Sequence, residues 1–415
     1  MNDPAAPSLG SRAEPLGEAF DLLAAYRPPL GFFFERRGSG VAGTGVPLFR
    51  GAAPFGASHI LHALRSAVRS GHDVAPVAVG AFSFRRDDEQ TPGLVIPRRA
   101  VRRGHGGRTW RLETSDQGER AEDSPPDEPV IGGSPNEPFA EIQLRETPSS
   151  ASYVEAVGAV VSRIRDGALR KVVLARTIHV DAGRELDPRL LVHRLRAVDT
   201  DAYTFAAPTD DGVIVGASPE LLVSRRGREV RSNPLAGSAP RSGDPEEDRA
   251  NAEALIGSAK DREEHAIVVD AVAETLQPFC GDLTWDPEPV LHGTPNVWHL
   301  STRFRGELRE PPPTALDLVA ALHPTPAVAG EPREAALGTI AALEPFERGR
   351  YAGPVGWVDA DGDGEWAIAL RCAELRGDRA ILYAGAGIVA RSDPARELDE
   401  TDRKFRAFLD ALRWG

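Results

Sequence analysis

The sequence has little cysteine, methionine or lysine, and each shortage limits what the protein can be. Only two cysteines, Cys280 and Cys372, and one methionine occur in 415 residues. Two thiols in apolar surroundings do not make a disulfide framework, so we interpret both as buried packing residues. The hydrophobic content of 41% is typical of a globular protein. No apolar run approaches the roughly 18 residues that a membrane span needs.

An excess of positive charge is also lacking. The chain has 62 acidic and 49 basic residues, which gives a formal net charge of −13. Because no basic excess is left to neutralise phosphates, neither nucleic acid nor an anionic membrane is an expected partner. A secretory signal begins with a basic segment followed by an apolar one, and the first residues of this chain show no such pattern. We therefore expect a cytoplasmic protein.

Lysine is the scarcest charged residue. Only Lys171, Lys260 and Lys404 occur, so arginine accounts for 49 − 3 = 46 of the basic residues. A coding bias that replaces lysine wherever arginine serves equally well explains the shortage. The remaining lysines are then enriched at sites where arginine cannot serve, since a buried lysine can release its proton and an arginine does not.

Periodic patterns predict an α+β fold with large antiparallel sheets. Strand patterns dominate and come in hairpins, with helices grouped between them rather than alternating one to one. A helix with a serine N-cap is predicted near residue 150, and one long helix over 245–276. A closing helix begins at Pro394, with Asp393 as its N-cap. Residues 115–137 are acidic and rich in Pro, Gly and Ser, which predicts a surface loop.

Two familiar motifs are present but lack their structural context. The GxGxxG pattern at residues 38–43 is followed by Pro47 in an extended segment rather than by a helix, so a hairpin tip is favoured over a dinucleotide site. The DxDxDG pattern at residues 359–364 has Leu370 where a calcium loop needs a glutamate. Strands flank it, so we predict a hairpin turn there.

Two carboxylate pairs indicate a possible metal site. Asp261 and Glu264 are three residues apart on the long predicted helix, and Glu397 and Glu400 have the same spacing near the start of the closing helix. If the pairs converge, their oxygen-only ligand set suits Mg²⁺ rather than Zn²⁺. The alternative is that both pairs are solvated helix faces, with two of the three lysines as exposed partners.

Several other polar residues lie in apolar strand segments. Lys171 opens an apolar strand and is a candidate base, or else a lysine at the strand edge that reaches solvent. Glu220 is a candidate buried acid or a plain turn residue. Arg371 stands among apolar residues and calls for a buried anion, either internal or a ligand carboxylate. The turn at Gly237 can cradle a carboxylate, and His299 is most simply a core histidine.

The order of many segments resembles that of the chorismate-utilising enzymes, a family that includes isochorismate, salicylate, anthranilate and aminodeoxychorismate synthases. The segments are KVVLAR, GASPELL, NPLAGSAPR, SAKDREEH, LHPTPAVAGEP, YAGPVGW, LRCA, YAGAGIV and ELDETDRK. The resemblance implies one domain over 1–415, with a catalytic part at 150–415 and a less recognisable part at 1–110. It also implies two antiparallel sheets with helices outside, and dependence on Mg²⁺.

Within that family, two positions resemble isochorismate synthases. Members that use water as nucleophile carry a lysine at the position of Lys171, and Ala236 stands where aminodeoxychorismate synthases place a nucleophilic lysine. The implied reaction converts chorismate to isochorismate, by water addition at ring carbon 2 and loss of the carbon 4 hydroxyl. No glutaminase subunit is then needed, and a monomer is expected. The alternatives are a salicylate synthase and a non-catalytic chorismate-binding homologue.

The resemblance also implies a role for each candidate residue. Lys171 resembles the base that activates water, and Glu220 the acid that protonates the departing hydroxyl. Glu264 and Glu400 resemble Mg²⁺ ligands, with Asp261 and Glu397 behind them or acting through water. The residues expected to contact substrate are Gly237, Ser238, His299, Ala327, Tyr351, Arg371, Gly385, Gly387 and Lys404.

Overall fold

The computed structural model describes residues 9–17, 20–51, 58–71, 74–86, 93–116 and 142–413. The predicted acidic loop at 115–137 lies outside these ranges except for its first two residues, which end a strand. Both cysteines are free and buried, as expected. Within the described ranges, no helix is long and apolar enough to cross a membrane.

The described residues form eight α-helices and two short 3-10 helices, Leu22–Ala25 and Gln277–Phe279. The α-helices are α1 (Ser58–Ser66), α2 (Ser150–Arg165), α3 (Pro188–Val198), α4 (Pro245–Gly257), α5 (Ala259–Leu276), α6 (Ala315–Leu322), α7 (Arg333–Leu343) and α8 (Pro394–Arg413).

Two predicted helix starts are confirmed by their caps. The side chain of Ser149 accepts a hydrogen bond from the backbone N–H of Ser152, at the start of α2. The side chain of Asp393 accepts one from the N–H of Arg396, at the start of α8. These caps satisfy backbone donors that have no partner inside the helix.

The single helix predicted over 245–276 is wrong, because Ser258 divides it. Ser258 has an extended backbone (φ −73°, ψ 113°), ends α4, and accepts a hydrogen bond from the N–H of Asp261 at the start of α5. Gly257 and Ser258 are residue types that favour a helix end and an N-cap, so a local signal for the break was present in the sequence. The break places Asp261 and Glu264 in the first turns of a new helix.

The strands account for most of the remaining described chain. They are β1 (Leu9–Leu16), β2 (Phe32–Arg36), β3 (Ser39–Gly51), β4 (Val68–Gly71), β5 (Val77–Ala81), β6 (Leu94–Arg103), β7 (Thr109–Asp116), β8 (Gln143–Thr147), β9 (Lys171–Asp181), β10 (Tyr203–Pro208), β11 (Val213–Ser218), β12 (Leu221–Arg226), β13 (Glu229–Asn233), β14 (Leu235–Pro240), β15 (Cys280–Trp285), β16 (Val290–Gly293), β17 (Val297–Ser301), β18 (Phe304–Leu308), β19 (Gly330–Glu331), β20 (Pro354–Asp359), β21 (Gly364–Ile368), β22 (Cys372–Arg376) and β23 (Arg379–Ile388).

The α+β class is confirmed, but the expectation of two large antiparallel sheets is wrong in detail. Twenty strands are joined by hydrogen bonds into one network, and β14, β17 and β16 form a separate three-stranded sheet. Strand β2 pairs with β10 and β5 pairs with β20, so strands from residues 1–110 continue the sheet of the later part. The pair of β1 and β4 is parallel. Such long-range pairings cannot be seen in a local pattern.

The candidate site lies where the large sheet, the small sheet and two helices meet. Strand β9 pairs with β23 along nearly its whole length, which sets Val173 opposite Gly387. In the small sheet, β14 pairs with β17 and sets Ser238 opposite His299. Helices α5 and α8 pack against β14, and α8 also against β23. Each predicted site residue is on, or next to, one of these elements or neighbouring strands.

Candidate active site

A small cavity opens at this junction, with about 50 Å³ of free space. All the predicted site residues except Lys171, Asp261 and Glu397 line it. Its walls are Val173, Pro219, Glu220, Leu235, Ala236, Gly237, Ser238, Glu264, His299, Ala327, Val328, Tyr351, Leu370, Arg371, Gly385, Gly387, Glu400 and Lys404. The structure therefore brings together residues that are more than 200 positions apart in the chain.

Glu220 is a buried carboxyl group on one wall of the cavity. Its side chain accepts a long hydrogen bond, 3.5 Å, from the backbone N–H of Leu235. Burial raises the Glu220 pKa to about 7, and the Leu235 N–H, Lys171 and Arg371 offset only part of that rise. A carboxyl group in this setting holds its proton near neutral pH and can donate it to a reacting group.

Lys171 is completely buried, so the alternative of a lysine that reaches solvent is wrong. Its Nζ lies 3.2 Å from Glu264 Oε1, and no hydrogen-bond partner is found for it among the described residues. The side chain of Lys171 lies on the side of Gly387 toward which a Cβ would point. A Cβ added to Gly387 would collide with Glu264 Oε1 and lie 3.0 Å from Lys171 Cε. Glycine at this position lets the strand approach both side chains.

The buried carboxylates at the other end of the cavity are paired with the remaining lysines. Lys260 Nζ lies 2.9 Å from Glu397 Oε1 and 3.8 Å from Glu264 Oε2. Lys404 Nζ lies 2.6 Å from Glu400 Oε1 and donates a hydrogen bond to the carbonyl of Gly385. Neither lysine is the exposed partner that the alternative interpretation assumed. The two carboxylate pairs therefore converge from α5 and α8.

Burial and mutual repulsion give these carboxylates different pKa values. Burial raises the pKa of Glu397 to about 7, and the nearby charge of Glu400 adds to the rise. Burial would raise the pKa of Glu400 too, but Lys404 and Lys260 outweigh it and lower that pKa. The cluster thus concentrates negative charge that cations must balance.

The donor set of this cluster fits a hard divalent cation. Its acidic members supply only carboxylate oxygens, the ligands that Mg²⁺ prefers. Among the described residues, no group of three or more His, Cys, Asp or Glu side chains is arranged closely enough to hold a metal ion as the structure stands. Lysine ammonium groups are the counter-ions instead. Asp261 lies at the margin of the cluster, where its Oδ2 accepts a short hydrogen bond from the Ser258 hydroxyl and its Oδ1 lies 3.7 Å from Lys260 Nζ.

Arg371 and His299 form a connected polar pair. Arg371 has a left-handed backbone (φ 50°), and its Nη2 lies 2.8 Å from His299 Nε2. Because a guanidinium group only donates, His299 Nε2 accepts, and we assign the ring proton to Nδ1. Nδ1 lies 3.2 Å from the carbonyl of Gly237 and 3.1 Å from Ser238 Oγ. Burial, with Arg371 nearby, lowers the His299 pKa well below its usual value, so this histidine is neutral.

Arg371 forms no ion pair with a described carboxylate within 4.0 Å, although it lies in the interior of the site. A cation in such a place calls for an anion, and the cavity wall leaves a ligand carboxylate as the partner. The sequence expectation of a buried anion beside Arg371 therefore points to a ligand rather than to an internal acid.

Some site residues were not found from the sequence. Lys260 was interpreted as a solvated partner, although it immediately precedes Asp261 at the new helix start. Val173 lies two residues after Lys171, and side chains two apart share a face of a strand, so this signal was available. Pro219 and Leu370 each adjoin a predicted residue but carry no chemical signal of their own.

Together the fold and cavity define a class: an α+β protein whose buried site combines an amine, a protonatable carboxyl, a carboxylate cluster and an arginine. That combination suits acid–base chemistry on a small anionic molecule with a divalent cation. The chorismate binding enzyme family matches residues 56–413, and this chain belongs to that family.

Similar proteins carry related names. The chain is 42% identical over 360 residues to isochorismate synthase DhbC of Bacillus subtilis, which covers 85% of this chain and 84% of that one. It is 43% identical over 364 residues to a putative isochorismate synthase MenF of Mycobacterium tuberculosis. That alignment covers 85% of this chain and 90% of the relative. The structure also superimposes on a crystal structure of a putative 2,3-dihydroxybenzoate-specific isochorismate synthase, DhbC from Bacillus anthracis. The TM-score is 0.80 at 36% identity, and the superposition covers 95% of this chain and 99% of that one.

Proposed function

We propose that this protein is an isochorismate synthase, an isomerase that converts chorismate to isochorismate. The observation that carries the proposal is the proximity of two acid–base groups at one cavity. Lys171 is buried beside Glu264 and Gly387, two residues of the cavity wall, and Glu220 lines the cavity with a pKa of about 7. The relatives at about 40% identity carry the same activity in their names.

The reaction needs a base and an acid in the same turnover. Lys171 takes a proton from water as the oxygen bonds to ring carbon 2. Glu220 gives a proton to the hydroxyl group that leaves carbon 4, so the departing group is water and the ring double bonds shift. One water is added and one is lost, which balances the isomerisation. The protein gains a proton at Lys171 and loses one at Glu220, and both return through solvent.

Basic and small residues around the acid–base pair bind the substrate. Arg371, held by neutral His299, receives one substrate carboxylate, with the backbone of Gly385 and Gly387 beside it. Lys404 contributes a second positive charge at the Glu400 end. The turn at Gly237 and Ser238, with Ala327 and Tyr351, shapes the wall against the ring.

Glu264 and Glu400 would hold Mg²⁺, with Asp261 and Glu397 behind them or acting through water. When bound, this ion supplies positive charge for the ring carboxylate and withdraws electron density from the ring. Gly387 leaves the Glu264 carboxylate room to reach the cavity. A monomer, a cytoplasmic location, one domain over 1–415 and independence from a glutaminase subunit complete the proposal.

The decisive experiment is incubation of the protein with chorismate and Mg²⁺, followed by chromatography of the products. We expect isochorismate without added ammonia. Salicylate with an equal amount of pyruvate as the main products would instead assign the chain to the salicylate synthases. Anthranilate formed with ammonium would contradict the assignment of water as nucleophile.

A further inference from the structure

A second cavity lies beside the catalytic one and is lined by arginines. It measures about 470 Å³, and its walls are Pro240, Arg241, Ser242, Gly243, Pro295, Asn296, Arg403 and Arg406. No acidic side chain is among them. We call this space the arginine cavity. Its volume is in the range of small-molecule sites, whereas the catalytic cavity has about 50 Å³ of free space.

The two cavities share two structural elements. Strand β14 places Ser238 at the catalytic cavity and its last residue, Pro240, at the arginine cavity. Helix α8 places Lys404 in one and Arg403 in the other. The two cavities are therefore lined in part by neighbouring residues of the same strand and of the same helix.

The arginines differ in how much of their charge is free. Arg241 donates to both oxygens of Asp248, at 2.9 and 3.1 Å, and stacks over Trp298, so its charge is largely balanced. Within the described part of the chain, Arg403 and Arg406 have no ion pair, and Arg403 Nε is buried without a hydrogen-bond partner. An unpartnered buried donor in a basic cavity points to an anionic ligand.

The overall charge of the protein makes such a site useful. A chain with a net charge of −13 repels a dianion at long range. A local positive cavity can reverse the field near the active site and raise the rate of capture. We propose that the arginine cavity binds the carboxylates of chorismate first and delivers the substrate to the catalytic cavity. This step rests on the proposed function, but the cavity itself can be tested apart from it.

The test is a matched pair of double variants on α8. Arg403→Gln with Arg406→Gln removes two charges from the cavity, and Arg396→Gln with Arg413→Gln removes two exposed charges from the same helix outside it. At low ionic strength we expect kcat/KM to fall about fivefold in the first pair, with kcat within about twofold. The second pair should stay within about twofold of the parent. In about 0.5 M salt the difference should disappear.

Equal kcat/KM values for the two double variants at low salt would overturn the proposal. A fall in kcat as large as the fall in kcat/KM would also overturn it, because the arginines would then act on the chemistry rather than on capture. If the cavity pair unfolds, which circular dichroism would show, Arg406→Gln alone decides, since that side chain is exposed. We then expect Arg406→Gln to lower kcat/KM by about threefold and to reduce its salt dependence, whereas a change in kcat/KM of less than about twofold would count against the cavity.

Calorimetric titration with isophthalate, a simple aromatic dicarboxylate, separates this proposal from the function. We expect the parent protein to bind isophthalate and the cavity pair to bind it about fivefold more weakly, with the control pair unchanged. Unchanged binding in the cavity pair would overturn the arginine cavity as an anion site. Binding that depends on these arginines, in a protein that makes no isochorismate, would support the cavity and reject the function.

Discussion

Lys260 Nζ lies 2.9 Å from Glu397 Oε1, so an ion pair joins the first turn of α5 to the first turn of α8. Lys171 and Lys404 contact Glu264 and Glu400 in the same cluster. All three lysines of a chain with 46 arginines therefore meet at one buried group of carboxylates. The shortage of lysine in the sequence therefore indicated residues of the candidate site.

The first prediction tests Lys171 as a base. Lys171→Gln and Lys171→Arg should each lose activity by about 10²-fold or more, because neither side chain exchanges a proton near neutral pH. Chorismate binding with Mg²⁺, measured by calorimetry, should persist in Lys171→Gln. Parent-like turnover by a folded Lys171→Arg protein would end the assignment.

No exposed lysine is available as a control for that experiment, since Lys404 is largely buried rather than solvated. Chemical rescue replaces it. Added methylamine should restore part of the activity of Lys171→Ala as the pH rises, because the free amine can accept a proton. Guanidine at the same concentration should not, and rescue by both would indicate a role for charge alone.

The second prediction concerns the metal ligands. Glu264→Gln and Glu400→Gln should each abolish Mg²⁺-dependent chorismate binding and lower activity by about 10²-fold or more. The exposed neighbours Glu263→Gln and Asp399→Asn are the controls and should behave like the parent. Normal Mg²⁺ dependence in either cluster variant would show that its carboxylate is not a ligand.

Glu264→Gln should also destabilise the metal-free protein. Lys171 would be left buried without its carboxylate partner, a loss on the order of 3 kcal/mol in the free energy of unfolding. The substitution also relieves repulsion between Glu264 and the other carboxylates of the cluster, which raises the free energy of unfolding. We expect this gain to be smaller than the loss, because those charges are more distant. Urea denaturation of the metal-free variant and parent checks the sign, and an unchanged midpoint would contradict the Lys171–Glu264 ion pair.

The third prediction follows from the pKa of about 7 at Glu220. The folded protein binds this proton more tightly than the unfolded chain, whose glutamate has its ordinary value near 4.5, so stability falls as pH rises between these values. At about pH 8 the free energy of unfolding of the parent is therefore about 3 kcal/mol lower than it is below about pH 4.5, through Glu220 alone. Glu220→Gln escapes that loss, so its unfolding temperature relative to the parent should rise from pH 5 to pH 8 while activity disappears.

Glu253→Gln, at an exposed position on α4, is the control for that pH series. Its unfolding temperature should follow that of the parent at every pH. A Glu220→Gln curve parallel to the parent curve would mean that Glu220 ionises normally and is not held as the acid.

The fourth prediction uses the close packing at Gly387. A Cβ there would collide with Glu264 Oε1, so Gly387→Ala should displace that carboxylate without removing any charge. We expect Mg²⁺ affinity, measured by calorimetry in the presence of chorismate, to fall about tenfold or more. Gly158→Ala on α2, where a Cβ meets no atom within 4 Å, should leave the affinity unchanged. Equal affinities in the two variants would contradict the role given to Glu264.

Local signals in the sequence predicted much of this molecule. The cap at Asp393, the helical spacing of the acid pairs and the apolar strand segments each depend on neighbours within a few residues, and the structure confirms these helices and strands. The α+β class follows from the same patterns. The break at Ser258 is also local, since a glycine followed by a serine favours the end of one helix and the start of the next.

Other features depend on contacts between distant parts of the chain. The pairing of β2 with β10 merges the expected two sheets into one network, and no local pattern specifies which strand edges meet. The link between His299 and Arg371 spans 72 residues and fixes the ring proton. Burial, which raises the Glu220 pKa, arises only when several elements close over that residue.

The amino-acid sequence by itself determined which chemical groups were available: three lysines, two carboxylate pairs, and an arginine within an apolar strand. It also determined the elements that carry them, since helix caps and side-chain periodicity act over a few residues. Only the tertiary structure decided which groups meet and which become buried. Ion pairing and desolvation depend on distance in space, and the chain brings Lys260 to Glu397 only when α5 and α8 both pack against β14.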